Sequence, residues 1–198
     1  RHIIRTILNS NTYQASTETN AFNSDDSKYF SHYSPRMLTA EQLVDALGFV
    51  TGKPKKFFGV PENTKATWLP APDLQPNDLA KIGDIEFLKV FGQPERQSAC
   101  ECERSDDVSL GQALELLNGK LLAGMIRDET NFIHTQRKAN KEPAEIVRQL
   151  YLRAYCRLPT EDEVRVHVDY VTKKGDVALA LEDICWAVVN RNEFLFQH

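Results

Sequence analysis

Apolar residues recur at helical spacing through most of the chain, and polar tracts rich in turn formers separate them. Ile3, Ile4, Ile7 and Leu8 share one face of a short N-terminal helix. Residues 9–34 follow as a polar tract whose Asn, Ser, Thr and Asp side chains compete for backbone hydrogen bonds and favour turns. Tyr13, Phe22, Tyr29, Phe30 and Tyr33 give that tract aromatic anchors, so it is expected as a long ordered loop. Thr39 and Gln42 set a capping box ahead of Leu43, Ala46, Leu47 and Val50, and Gly52 stops the helix. Residues 53–81 hold Pro54, Pro61, Pro70, Pro72 and Pro76, a density that forbids long helices. Trp68 and Leu69 are expected to pin this connection to the body. Asp84 then caps a short helix to Phe91, closed by Gly92 and Pro94.

The second half is more regular. Ser109 and Gln112 form a second capping box, with Leu110, Ala113, Leu114 and Leu117 as the apolar stripe behind it. Gly119 ends or bends that helix. Pro143 suits a first helical turn, and Ile146, Val147, Leu150, Tyr151, Ala154 and Tyr155 run on as one stripe to Pro159. Thr160 and Glu163 make a third capping box, ahead of Val164, His167, Val168 and Val171. Gly175 ends that helix, Asp176 caps the next, and Leu181, Ile184, Cys185 and Val188 continue it. A final turn over 192–196 carries two Phe. No alternating strand pattern is present. The expected fold is mostly α, an irregular helical domain with long ordered loops, spanning 1–198 as a single domain. The chain starts at Arg1, inside a helix pattern and without Met, and reads as an excised piece.

Composition narrows the function. With 198 residues, 41% of them hydrophobic, the chain can bury a core without metal or disulfide staples. The formal net charge of −4 argues against a nucleic-acid module, which carries a basic face. The longest apolar stretches, 121–126 and 184–189, are far short of the roughly 20 residues of a transmembrane span. No signal peptide is visible. Four cysteines are too few for a disulfide-dense scaffold.

Enzyme signatures are missing: there is no Gly-rich phosphate loop, no G-x-S-x-G and no H-E-x-x-H. Without C-x-x-C-H the chain cannot attach a c-type haem in the usual way, and no cofactor is expected in this fragment. Catalytic residues stay unassigned. The densest polar cluster spans 94–104 and contains Glu95, Arg96, Cys100, Glu101, Cys102, Glu103 and Arg104. Three readings of Cys100 and Cys102 compete: a disulfide, two thiolate ligands of a metal needing about two more from elsewhere, or two small buried side chains. The arginines and glutamates read first as ion pairs, with an anion clamp as the functional alternative. The 20–26 run offers oxygen ligands in a spacing unlike an EF-hand, so a capped turn is expected there. His134, His167 and His198 are widely separated. His167 lies on an apolar helical face and is read as a hydrogen-bonded core histidine. Trp68, Tyr13 and Tyr33 are read as core anchors ahead of a sugar-stacking platform.

Several strings in order carry a family resemblance. They are Leu8-Asn9-Ser10-Asn11-Thr12-Tyr13-Gln14, Arg36-Met37-Leu38-Thr39-Ala40-Glu41-Gln42-Leu43, Phe87-Leu88-Lys89-Val90-Phe91-Gly92-Gln93-Pro94 and Cys100-Glu101-Cys102-Glu103-Arg104. Leu150-Tyr151-Leu152, Arg157-Leu158-Pro159-Thr160 and the ending Asn192-Glu193-Phe194-Leu195-Phe196-Gln197-His198 complete the set. Together they resemble the C-terminal domain of unknown function of large exported planctomycete-type proteins that carry an upstream cytochrome c-like domain. Gln197 departs from the Asn common in that family. The resemblance covers essentially the whole chain and implies a C-terminal fragment truncated at its N-terminus.

It further implies a periplasmic or cell-surface location and contact with upstream domains of the same protein. It shifts Cys100 and Cys102 toward an oxidised pair, strained by its very small ring and hence easily reduced. Cys156 and Cys185 fall where the family is not expected to have Cys, and are read as ordinary buried residues. The expectation is a non-catalytic structural or binding module of a multidomain haem c-type protein. The alternatives are part of an enzyme acting on extracellular polysaccharide through carboxylates such as Glu95, Glu101, Glu103, Asp106 and Asp107, or a redox module using the C-x-C dithiol.

Overall fold

Several helices begin at side-chain caps written in the local sequence. The computed structural model describes residues 1–26, 28–57, 60–69, 85–92 and 109–197. In order these form α1 (His2–Leu8), β1 (Arg36–Met37), α2 (Ala40–Thr51), a 3-10 turn (Ala66–Trp68), α3 (Ile85–Val90), α4 (Leu110–Asn118) and α5 (Lys120–Arg127). Then come α6 (Phe132–Lys138), α7 (Pro143–Tyr155), α8 (Glu161–Lys174), α9 (Val177–Val189), α10 (Asn192–Leu195) and β2 (Phe196–Gln197). The protein is mostly helical. Among the described residues no helix is long and apolar enough to cross a membrane.

All three expected capping boxes form. Thr39, Ser109 and Thr160 each accept the backbone N–H three residues on, and Gln42, Gln112 and Glu163 reach back to the cap. Gly52 and Gly175 close α2 and α8 in the left-handed conformation. Asp176 caps α9 by accepting the N–H of Ala178 and Leu179. One stop differs from expectation. The helix expected to run to Pro159 ends at Tyr155, because Cys156 adopts φ +56° and supplies the left-handed cap itself.

The chain divides into two compact units, Thr39–Leu195 and Arg1–Leu38 with Phe196 onward. In the larger unit α9 packs on α5, α6, α7, α8 and α10, and α2 packs on α3, α5, α6, α7 and the 3-10 turn. The core is built from Leu43 and Leu47 of α2, Val147 and Leu150 of α7, and Leu181 and Val188 of α9, each nearly free of solvent. Each such side chain contributes about 1.5–3 kcal/mol by burial.

Three expectations for this unit are corrected. The α4 stripe faces outward: Leu110, Leu114 and Leu117 are exposed, while Gln112 and Leu116 are buried. Trp68 is 66% exposed and is not the buried anchor expected. The 3-10 turn is held instead by Asp45, whose carboxylate accepts the N–H of Ala66 at 2.7 Å and of Thr67 at 3.1 Å, with Ala66 fully buried. Cys185 is buried, but Cys156 is exposed, since a helix terminus carries it out of the core.

In the smaller unit β1 and β2 pair antiparallel, Arg36 with Gln197 and Met37 with Phe196. Residues two to a strand leave no alternation to read. The 20–26 run makes capped turns: Asn20 accepts the Phe22 N–H and Asn23 accepts the Asn20 N–H. Asp26 accepts the N–H of Lys28, Tyr29 and Ser31. Bonds led by the Ser31 hydroxyl hold its carboxyl far below the usual range. The aromatic anchors do not anchor: Tyr13, Phe22, Tyr29 and Phe30 are exposed and only Tyr33 is half-buried. The apolar residues of α1 are exposed as well.

Candidate functional site

The richest polar chemistry among the described residues gathers where α7 ends and α8 begins. The left-handed turn at Cys156 swings the following residue, Arg157, back over the last turn of α7. Its guanidinium lies 5.4 Å from the Tyr151 ring centroid and 5.5 Å from that of Tyr155. The Thr160 capping box then brings Glu163 within reach, and α10 delivers Glu193.

Arg157 has five N–H donors and uses all of them. Nε donates to Glu193 at 2.5 Å and Nη2 to the same carboxylate at 2.9 Å. Nη1 donates to Glu163 at 2.9 Å and Nη2 to Glu163 at 3.0 Å. The second Nη1 donor reaches the Leu158 carbonyl at 3.1 Å. One cation thus ties α7, α8 and α10 through two bidentate pairs. It also fixes the protonation states. Bonds from Arg157 hold Glu163 down at about 2 and lower Glu193. The same bonds, Glu163 first, raise the Arg157 pKa. Both carboxyls are ionised at neutral pH, so neither is a general acid.

A second layer extends the junction. Arg191 follows α9 and donates through Nη1 to the Tyr151 hydroxyl at 3.3 Å and to Glu163 at 3.4 Å. Tyr151 also bonds His167 Nε2 at 2.9 Å, with the two rings edge to face. The Tyr155 hydroxyl donates to the Val188 carbonyl at 2.7 Å. Burial raises the pKa of both tyrosines and lowers that of His167. His167 is hydrogen-bonded as its position predicts, but it is half-buried and not part of the core.

Other polar groups join elements elsewhere in this unit. His134 Nε2 lies 2.9 Å from Glu182, joining α6 to α9. Arg153 stands between the rings of Phe49 and Phe132, 4.6 Å from each centroid, and donates to the carbonyls of Phe49 and Val50 at the end of α2. Lys53 bonds Asp128 and Thr130 at 2.9 and 2.8 Å; the Thr130 hydroxyl first, then Lys53, holds Asp128 at about 2. Asp183 takes hydrogen bonds from Lys174 and Tyr170. Among the described residues no three His, Cys, Asp or Glu side chains group closely enough to hold a metal ion.

The sequence-derived candidates fare differently. Glu95, Arg96, Cys100, Glu101, Cys102, Glu103 and Arg104 lie outside the described residues, as do Asp106, Asp107 and His198. Tyr13 and Trp68 are exposed, so neither is the core anchor expected. The Arg157 junction itself is missed by sequence reading, because its acceptors lie six and 36 residues away. Its one local signal is Arg157 just before a Pro-Thr capping box.

No curated protein and no solved structure matches this chain. A family model matches residues 1–171. The chain belongs to the family described as PSD1, Protein of unknown function (DUF1553).

Proposed function

We propose that the chain is a non-catalytic helical module at the C-terminal end of an exported multidomain protein, docking onto upstream domains that include a c-type haem domain. The observation that carries this reading is the orientation of α4. Leu110, Leu114 and Leu117 stand four and three residues apart, on one helical face, and all are exposed. The exposed residues between them are Gly111 and Ala113, and the one charged residue of the span, Glu115, is half-buried. The polar Gln112 is turned to the body instead. Leaving three leucines in water on one face costs stability that a partner recovers.

The Arg157 junction supports the same reading. Its cation is spent on internal acceptors and its carboxylates on that cation, as in a structural clasp. The family resemblance supports the exported location, the upstream haem domain and its role as the partner. In this reading the haem is held upstream and this chain binds no cofactor of its own.

The test is cross-linking of the intact full-length protein from Lys120, one residue beyond the α4 cap. Links from Lys120 to upstream domains, lost in a Leu114→Lys, Leu117→Lys double variant, are expected. Links that survive the double variant, or none in the unaltered protein, contradict the reading.

A further inference from the structure

We infer that His167 is an acid-responsive latch: its neutral imidazole ties the segment after α9 to α7 and α8, and protonation releases that segment. The argument starts from the Tyr151 hydroxyl, which has one hydrogen to give. Arg191 donates to its oxygen at 3.3 Å, so the oxygen is an acceptor there. The hydroxyl hydrogen is then satisfied by His167 Nε2, 2.9 Å away. This assignment requires a bare Nε2 and places the imidazole proton on Nδ1.

Adding a proton to Nε2 puts two hydrogens on one 2.9 Å line. Tyr151, whose side chain is fully buried, must turn its hydrogen away from its acceptor. The Tyr151 oxygen then faces two cationic donors, Nε2–H of His167 and Nη1 of Arg191, which compete for it and repel each other, so the hold on Arg191 weakens. Arg191 stands between α9 and α10, and its carbonyl accepts the N–H of Phe194 and Leu195. Loosening Arg191 therefore loosens the last helical turn.

The surrounding charges agree with this direction. On α8 itself Glu163, one turn before His167, favours the imidazolium. Burial opposes it most strongly, and Arg191 opposes it too, so the balance holds the imidazole below its ordinary value. From α7, Tyr155 is bonded to a carbonyl and Arg157 to both carboxylates. From α9, Asp183 is engaged by Lys174 and Tyr170, and Glu182 by His134. From α10, Glu193 is engaged by Arg157. A lowered folded-state value means that the released form binds the extra proton. The closed latch is fully present above about pH 6.5, the unperturbed histidine value, and is lost as pH falls below it.

The test is amide exchange of the full chain at pH 7.5 and pH 5, corrected for intrinsic exchange. The Phe194 and Leu195 amides are expected to exchange faster at the lower pH, by up to about tenfold per pH unit below the unperturbed value. In His167→Gln the amide oxygen accepts the Tyr151 hydrogen at every pH, and the step disappears. The same step in His167→Gln, or no step in the unaltered chain, overturns the latch. Nuclear magnetic resonance titration of His167 in the unaltered chain decides it without a variant. A midpoint below about 6.5 is expected, and one at or above it overturns the proposal.

Discussion

Replacing Arg157 with Lys tests whether the junction is held by geometry or by charge alone. The substitution keeps the positive charge. It removes the planar fork, leaving three donors on one nitrogen where five pointed in fixed directions. A lysine can satisfy one carboxylate well and cannot span Glu163 and Glu193 with two bidentate pairs. At least two of the four charged hydrogen bonds at 2.5–3.0 Å are lost. A hydrogen bond to a charged group is worth about 1.5–3 kcal/mol, and the 37% exposure of the Arg157 side chain moves each toward the bottom of that range. Loss of guanidinium stacking on Tyr151 and Tyr155 adds roughly 0.5 kcal/mol. The expected destabilisation is about 3.5 kcal/mol, or a fall in melting temperature of roughly 7–14 °C for a chain of this size. Urea denaturation followed by circular dichroism measures it, with Glu193→Gln and the double variant completing a cycle. The two single effects should overlap strongly in the double variant. A destabilisation below about 0.5 kcal/mol in Arg157→Lys, the size typical of unconnected surface positions, refutes the clasp.

Three more outcomes follow from the same physics. A β-carbon at Gly119 would stand 2.1 Å from the Glu115 carbonyl oxygen, so Gly119→Ala should cost about 2 kcal/mol or more, whereas exposed Gly124, with nothing within 4 Å, should gain about 0.5–1 kcal/mol as Ala in thermal melts. Glu163, held at about 2, and Glu193, lowered by Arg157, favour the folded state above the usual glutamate range, so unfolding free energy should fall as pH drops from about 4.5 toward 2, with a shallower slope in Glu163→Gln. Burial pushes the Cys185 thiol up to about 12, so native-state alkylation mapped by mass spectrometry should label exposed Cys156 and spare Cys185 until the chain is denatured.

How much of this was legible in the sequence depends on how local the physics is. A capping box is written in four consecutive residues, and all three formed as read. The periodicity of α4 correctly marks a leucine face. It carries no information about what lies opposite, so the face expected inside is found outside. The turn at Cys156 hides because left-handed backbone is seldom adopted by cysteine. The β1–β2 pair joins residues nearly the whole chain apart over two residues each, too short for any alternating pattern. The Arg157 junction needs Glu193 from a separate helix, a contact made only by tertiary packing.

The central claim is that the leucine face of α4 is a docking surface. Amide exchange in the intact full-length protein tests it most directly, compared with the isolated 198-residue chain. The account predicts that amides over Leu110–Asn118 exchange more slowly in the full-length protein, and that Leu114→Lys with Leu117→Lys returns them to the rate of the isolated chain. Equal exchange of α4 in both proteins would contradict it.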